Sequence, residues 1–277
     1  MRPFRCDLAP ILNSLTGAAR RAVGRRRNSA FFFAAASLAF AITMPAQSDD
    51  QQAVELSSSA ASGFFKKYVD CGGIAVRSSP AVADEALRLG CEKISLMLEN
   101  MPNARNVLVR RGAELHIIGR NEQTSDLPEF QQQRGVLYVD NKGRLTTIDA
   151  RTRGKGGLLS SCGEENILHL PGDRYGDGYD VCTHEFAHAI MDYGIGADQR
   201  QQIHDQYERS VSAGLWRNAY AATNAKEYWA ELSMWYFGSH GGRRRDSETP
   251  AGNGPKALQG YDPQGFSLLQ RIYGGAQ

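Results

Sequence analysis

The sequence lacks several features that would fix its class at once. It has no pair of cysteines in C-x-x-C spacing, no internal repeat and no recognised nucleic-acid-binding motif. The first absence argues against a cysteine-rich metal site. Of its 277 residues, 42% are hydrophobic and 22% are charged. This composition excludes a mostly disordered chain and suits one globular domain or two small ones.

Acidic residues are nearly absent from the first 48 positions, which hold seven arginines, no lysine and only Asp7. Three arginines at 25–27 precede an uncharged, mostly apolar stretch at 29–44, and small residues follow it. This order is typical of a secretory signal peptide, cleaved after Ala46 or Ser48. An uncleaved anchor is the alternative, although the stretch is short of the about 20 apolar residues that a membrane span needs.

Removal of residues 1–48 reverses the sign of the net charge. The full chain has 32 Lys and Arg against 30 Asp and Glu, a charge of +2, and loss of 7 bases and 1 acid leaves −4. The positive net charge of the full chain is therefore no argument for nucleic-acid binding. The arginines at 243–245 are typical of a solvated turn. We expect a secreted or periplasmic monomer that binds a peptide or protein substrate, and neither nucleic acid nor a membrane once the signal is removed.

Four cysteines remain after the signal peptide: Cys71, Cys91, Cys162 and Cys182. An even number in an exported chain indicates two disulfides, for which three connectivities are possible. Pairing of sequence neighbours, Cys71 with Cys91 and Cys162 with Cys182, is the simplest of them. The alternative is that some of these residues are buried thiols.

The rest of the chain divides into a polar lead-in at 49–62 and a single domain at 63–277. Apolar spacing predicts the following strands and helices: strands at 73–77, 107–109, 115–118, 136–139 and 166–170, and helices at 82–101, 180–193, 198–213, 224–237 and 262–273. Residues 120–164 are predicted to be a long, partly irregular insertion. Strands first and helices later indicate an α+β fold, a small sheet followed by a mainly helical C-terminal half.

The predicted helix at 180–193 contains the sequence His184-Glu185-Phe186-Ala187-His188, an H-E-x-x-H motif. Residues four apart share one face of a helix, so both imidazoles can reach one metal ion. Zn²⁺ accepts imidazole and carboxylate ligands, and Glu185 is placed to act as general base on a water rather than as a ligand. The alternative is a surface helix with two unrelated histidines, but apolar neighbours make this a buried helix whose polar groups need partners.

A catalytic zinc site needs a third protein ligand, and a carboxylate on a later helix is the best candidate. Glu227 and Glu231 lie four apart on an otherwise aromatic and apolar helix, where buried charges must be paired or coordinated. We predict Glu227 as the third ligand and Glu231 as the acceptor that orients a zinc-bound histidine. The two roles could be exchanged, and a capping box starting at Asn224 would also account for Glu227.

The segments 184–193 and 220–231 resemble the catalytic domain of anthrax lethal factor and its relatives, which are gluzincin metallopeptidases. The likeness is softer over the rest of 63–277, although Gly163-Glu-Glu-Asn-Ile-Leu-His-Leu and Gly260-Tyr-Asp-Pro resemble a secreted microbial branch of that family. The resemblance implies a zincin-like fold, zinc held by two His and one Glu, and peptide hydrolysis. It also implies that Tyr220, seven residues before Glu227, faces the metal. A phenol hydroxyl suits the stabilisation of an oxyanion, although Tyr220 could equally be a core aromatic.

These features together predict a secreted zinc endopeptidase with Glu185 as general base. A strand at 166–170, just before the motif helix, would offer an edge on which an extended peptide could add as a further strand. Two alternatives remain: a catalytically inactive zinc-binding module of the same fold, and a zinc hydrolase of a non-protein amide.

Overall fold

A computed structural model describes residues 63–140, 143–176, 178–242 and 246–275. The predicted signal peptide at 1–48, the lead-in at 49–62 and the arginines at 243–245 lie outside the described residues. Among the residues it describes, no helix is both long enough and apolar enough to cross a membrane.

A five-stranded mixed sheet occupies the N-terminal half. Its strands are β1 (Lys67–Asp70), β2 (Ala75–Ser78), β3 (Glu114–Ile118), β6 (Gly154–Lys155) and β7 (Leu159–Gly163). Their order across the sheet is β1-β2-β3-β7-β6, with β2, β3 and β7 mutually parallel and the two outer strands antiparallel to their neighbours. Short β4 (Tyr138–Val139) and β5 (Leu145–Thr146) form a separate hairpin.

Helices cover the sheet and fill the C-terminal half. They are α1 (Asp84–Met97), α2 (Pro102–Arg110), α3 (Ile148–Arg151), α4 (Glu164–Ile167), α5 (Val181–Ala189), α6 (Ala197–Ser212), α7 (Ala225–Tyr236), α8 (Gly254–Tyr261) and α9 (Pro263–Tyr273). A π-helical turn, Ile190–Gly194, extends α5. The expectation of a small sheet followed by a helical half is confirmed, and α5 carries residues 184–188.

Two predicted strands are wrong. Residues 107–109 belong to α2, because Pro102 starts a helix at its first position and Ala104 and Leu108, four apart, form its buried face. Residues 166–170 are not extended either: α4 ends at Ile167 and a loop follows. The strand lies just before them, as β7, whose buried residues include Ser160 and Ser161. Because these residues are small and polar, the strand has no apolar pattern by which the sequence could predict it.

Two disulfides join these elements, with the pairing that sequence neighbours suggested. Cys71–Cys91 links the turn after β1 to α1, and Cys162–Cys182 links β7 to α5. The second bond fixes the motif helix directly to the sheet. Pairs this close in sequence close short loops, which stabilises the fold chiefly by restricting the unfolded chain.

The helical half is built around α7, which is buried along most of its length. The indoles of Trp216, Trp229 and Trp235 are completely buried, and Trp229 donates a hydrogen bond from Nε1 to the carbonyl oxygen of Ala187 at 2.9 Å. Because Ala187 lies between the two motif histidines, this bond sets the position of α7 against the motif helix.

Candidate metal centre and catalytic cleft

The motif helix α5 starts at a well-formed cap. The Asp180 side chain accepts hydrogen bonds from the backbone N–H of Thr183 at 3.0 Å and from its hydroxyl at 2.7 Å, and it pairs with Lys93 at 2.5 Å. An acidic cap satisfies free N–H groups and complements the helix dipole. The helix thus begins at Val181, three residues before His184, and the spacing of four places both histidines on one face of it.

The predicted ligand atoms meet at one point. His184 Nε2 lies 3.2 Å from His188 Nε2 and 3.2 Å from Glu227 Oε2, and His188 Nε2 lies 3.5 Å from the same oxygen. For a tetrahedral zinc with bonds of about 2.0–2.1 Å, neighbouring ligand atoms stand about 3.3 Å apart. The three side chains therefore fit a zinc ion without rearrangement. His184, Glu185 and His188 also offer ligand atoms that all lie within 4.8 Å of one another.

Glu231 occupies the other side of His184. Its Oε1 is 3.4 Å from His184 Nδ1, a distance that makes no well-aligned hydrogen bond, and accepts a hydrogen bond from the Tyr179 hydroxyl at 3.0 Å. Its Oε2 accepts from the backbone N–H of Gly242 at 2.6 Å. Glu231 is only 1% exposed, so three donors surround a fully buried carboxylate. This placement sets Glu227, rather than Glu231, beside the two Nε2 atoms.

Asn224 caps α7 without the help of Glu227. Its side-chain oxygen accepts the N–H groups of Lys226 at 2.9 Å and Glu227 at 3.0 Å. The Glu227 carboxylate instead contacts the two histidines, and Lys226 pairs with Asp192 of the π-helical turn at 2.9 Å. The start of α7 is therefore tied to the motif helix and its π-helical extension by Lys226 and by Glu227 itself.

The site lies in a cleft of about 430 Å³. His184, Glu185, His188, Tyr220 and Glu227 all line it. The cleft is lined as well by residues that the sequence did not single out: Tyr138, Val139, Asp140, Arg151, Thr152, Gly154, Lys155, Gly156 and Asp192. The rings of Tyr220 and His184 are nearly parallel, with centroids 6.1 Å apart.

The remaining histidines are elsewhere. His116 is buried in β3 between Glu114 and Glu129, His169 and His204 are exposed, and His240 lies against Gly178. None of them lines the cleft.

Two glycines let strand β6 approach the motif helix. A Cβ on Gly154 would lie 2.4 Å from Val181 Cγ1, and one on Gly156 would lie 2.7 Å from His188 Cβ. Such contacts are shorter than any that real Cβ atoms make, so only glycine fits at either position. The glycine-rich segment Arg153-Gly154-Lys155-Gly156-Gly157 was the sequence signal for a close approach. The segment by itself does not show which element of the fold comes close to it.

The electrostatics of the site separate its acids and bases. Burial lowers the pKa of His184, but the neighbouring carboxylates of Glu227 and Glu231 outweigh this effect and raise that pKa to about 10. Burial raises the pKa of Glu227, but the contacts with the two histidines lower it by more. The pKa of Glu227 therefore lies well below its ordinary value. Burial raises the pKa of Glu185 despite the nearby imidazoles. Burial and Glu227 raise the pKa of Tyr220, which keeps its hydroxyl protonated.

Comparison with known proteins adds little to this geometry. No family model and no curated protein matches the sequence. Among solved structures, a Pro-Pro endopeptidase from Paenibacillus alvei superimposes with a TM-score of 0.42 and 15% identity, over 65% of this chain and 91% of that chain. Similarity at this level does not show a shared family, so the function has to follow from the site.

Proposed function

We propose that the chain is an exported zinc-dependent endopeptidase of the lethal-factor-like gluzincin family, with a zincin-like fold. The observation that carries the proposal is the convergence of His184 Nε2, His188 Nε2 and Glu227 Oε2 at 3.2–3.5 Å from one another inside an open cleft. Two disulfides in the described domain agree with an oxidising compartment, as the predicted signal peptide requires.

Zinc held by these three ligands would supply a Lewis acid that polarises the scissile carbonyl and makes a water acidic near neutral pH. Glu185 lies one position from His184 on the same cleft wall, where it takes the proton of the attacking water and later passes it to the leaving amine. The raised pKa of Glu185 suits a group that must both accept and return a proton. Glu185 has no role in a purely structural zinc site, so its place in the cleft favours an enzyme.

Tyr220 is placed to stabilise the oxyanion. It lines the cleft on the side of Glu227, and its raised pKa keeps the O–H available as a donor. A donor aimed at developing negative charge contributes to catalysis in proportion to how well it is preorganised. Glu231, held by Tyr179 and Gly242, orients the imidazole of His184.

An extended substrate would lie along β6 rather than along residues 166–170. Strand β6 is an outer strand of the sheet, paired only with β7 among the described strands, and Gly154 and Lys155 line the cleft. The Gly154 N–H and C=O already bond to the Thr152 hydroxyl, so a peptide backbone would pair with this edge from Lys155 onward. The proposal therefore keeps the predicted addition of the substrate to a strand edge, but assigns it to β6 instead of residues 166–170.

The proposal is tested by metal content together with the Glu185→Gln variant. The purified chain should contain about one zinc ion, as expected for a three-ligand catalytic site. Glu185→Gln should keep this zinc and lose activity on a broad peptide library by about 10²–10⁴-fold, because only the proton carrier is removed.

Glu208→Gln, an exposed change on α6 outside the cleft, serves as the matched control and should cleave like the wild type. If Glu185→Gln is as active as the wild type, Glu185 is not the base. If the wild type holds zinc but cleaves no peptide, an inactive zinc-binding module or a non-protein amide substrate would replace the present proposal.

A further inference from the structure

Exposed apolar side chains are concentrated at one place on the surface. Seven large hydrophobic residues among those described are strongly exposed, and five of them fall within ten positions. We call these five the apolar rim: Val136 (51% exposed), Leu137 (60%), Tyr138 (40%), Val139 (64%) and Leu145 (66%). Scattered exposed apolar residues are ordinary, whereas a contiguous cluster marks a binding surface.

The apolar rim is continuous with the catalytic cleft. Tyr138 and Val139 line the cleft, although their side chains are also exposed. Val139 pairs with Leu145 across the β4–β5 hairpin, and directly paired residues of antiparallel strands project from the same face. Val139, which lines the cleft, and Leu145 therefore form one apolar step beside it.

The hairpin presents this step in a fixed shape. The Arg144 guanidinium donates to Asp140 Oδ2 from Nε at 2.9 Å and from Nη2 at 2.7 Å. The backbone of Arg144 exchanges two further bonds with Asp140, and Gly143 N–H donates to the Asp140 carbonyl at 2.9 Å. These bonds pair the Arg144 guanidinium with the Asp140 carboxylate at the end of the two rim strands.

A second copy of the chain is a poor occupant for this surface. Five partly exposed side chains offer a few hundred Å² at most, whereas a stable dimer buries about 800 Å² on each partner. A partner of that size would also cover the cleft. An extended peptide needs much less area, and when it pairs with a strand edge such as β6 its side chains alternate between the two faces of the sheet.

We propose that the apolar rim is a specificity surface, on which Val139 and Leu145 bind a large apolar side chain of the peptide that lies along β6. This inference rests on the proposed function and extends it to a substrate class: extended peptides with a bulky aliphatic or aromatic residue a few positions from the scissile bond. Burial of one such side chain strengthens binding by about tenfold or more.

The test measures binding separately from hydrolysis. The inactive Glu185→Gln protein is titrated with fluorescent octapeptides of Gly and Ser in which one leucine is moved through the sequence. Binding should be about tenfold or more tighter when leucine occupies one particular position. Val139→Ser and Leu145→Ser, each added to this protein, should abolish that preference, so that the leucine peptide binds no more tightly than the leucine-free peptide.

Leu96→Ser is the matched control, because Leu96 is 51% exposed on α1 and does not line the cleft. It should retain the full leucine preference, and thermal melting should show all three serine variants folded. Equal binding of all peptides to the parent protein, or an unchanged preference in both rim variants, would overturn the proposal. So would a dimer seen by sedimentation that the rim variants dissociate.

Hydrolysis by the wild-type chain keeps the two proposals apart. Cleavage of the library without leucine preference would remove the specificity surface and leave the endopeptidase in place. A leucine preference in binding without any cleavage would remove the endopeptidase and leave the rim as a peptide-binding surface.

Discussion

The role of Glu231 can be tested by a change of one atom, Glu231→Gln. The buried carboxylate accepts from Tyr179 and Gly242 and lies 3.4 Å from His184 Nδ1. In the variant, one orientation of the amide points its NH₂ at the Gly242 N–H. The other orientation points it at the Tyr179 hydroxyl, which can turn to accept, and at the N–H of His184 Nδ1, which cannot. Either way a donor faces a donor.

The magnitude follows from this geometry. An unsatisfied buried donor costs about 1–3 kcal/mol, so the metal-free variant should lose that much free energy of unfolding. Loss of an acceptor behind a metal-binding histidine weakens metal affinity by about 10–100-fold. We therefore expect zinc to dissociate from the variant 10–100 times more readily, measured by competition with a chromophoric chelator.

Glu164→Gln separates the two effects. Glu164 is also buried and accepts two backbone N–H bonds, from Ala83 at 2.7 Å and from Arg120 at 2.9 Å, but it does not line the cleft. It should lose a similar free energy of unfolding and keep wild-type zinc affinity. If Glu231→Gln loses stability yet binds zinc within twofold of the wild type, Glu231 only supports the fold and the orienting role is refuted.

Two further predictions concern the strand beside the site and the sheet. Gly156→Ala should reduce zinc affinity and activity sharply, because the added Cβ would lie 2.7 Å from His188 Cβ. If the variant binds zinc as tightly as the wild type, the close approach of Gly156, directly after β6, does not position this histidine. In β3, burial lowers the pKa of His116, but hydrogen bonds to Glu114 at 2.9 Å and Glu129 at 2.6 Å outweigh it and raise the pKa above its ordinary value. The protonated ring thus stabilises the fold fully below about pH 6.5, and this contribution is lost as pH rises through the higher folded pKa. His116→Gln should flatten the fall of the urea midpoint as the pH rises above about 6.5, and parallel curves for variant and wild type would contradict the assignment.

Local patterns were sufficient wherever the relevant partners lie close in sequence. The buried helix face that contains Leu87 and Ile94 follows the 3.6-residue period of a helix. This period can be recognised within the segment itself, without knowledge of its partners. The pairing Cys162–Cys182 joins residues only 20 apart. The motif His184–Glu185–His188 needs one turn of helix to bring its imidazoles together, so the spacing alone indicated a metal site.

Patterns failed where a neighbouring element decided the structure. Residues 107–109 have high strand propensity, but the helix started by Pro102 buries Leu108 against the core, and packing outweighs propensity. Strand β7 was missed because its central residues Ser160 and Ser161 are small and polar yet completely buried. Small side chains there suit a strand that has the motif helix packed on it, which no window of the sequence contains.

The sequence by itself determined the residue types of this site: two histidines and a glutamate on one helix, and two acids on another that had to find partners. Only the tertiary structure decided which acid stands where, because His184 and Glu227 are 43 positions apart and meet through the packing of α7 on α5. The same holds for Tyr179 behind Glu231, for β6 as the free edge and for the apolar rim beside the cleft. Contacts between distant segments depend on how whole elements dock, and the free energy of that docking is spread over buried residues that carry no motif.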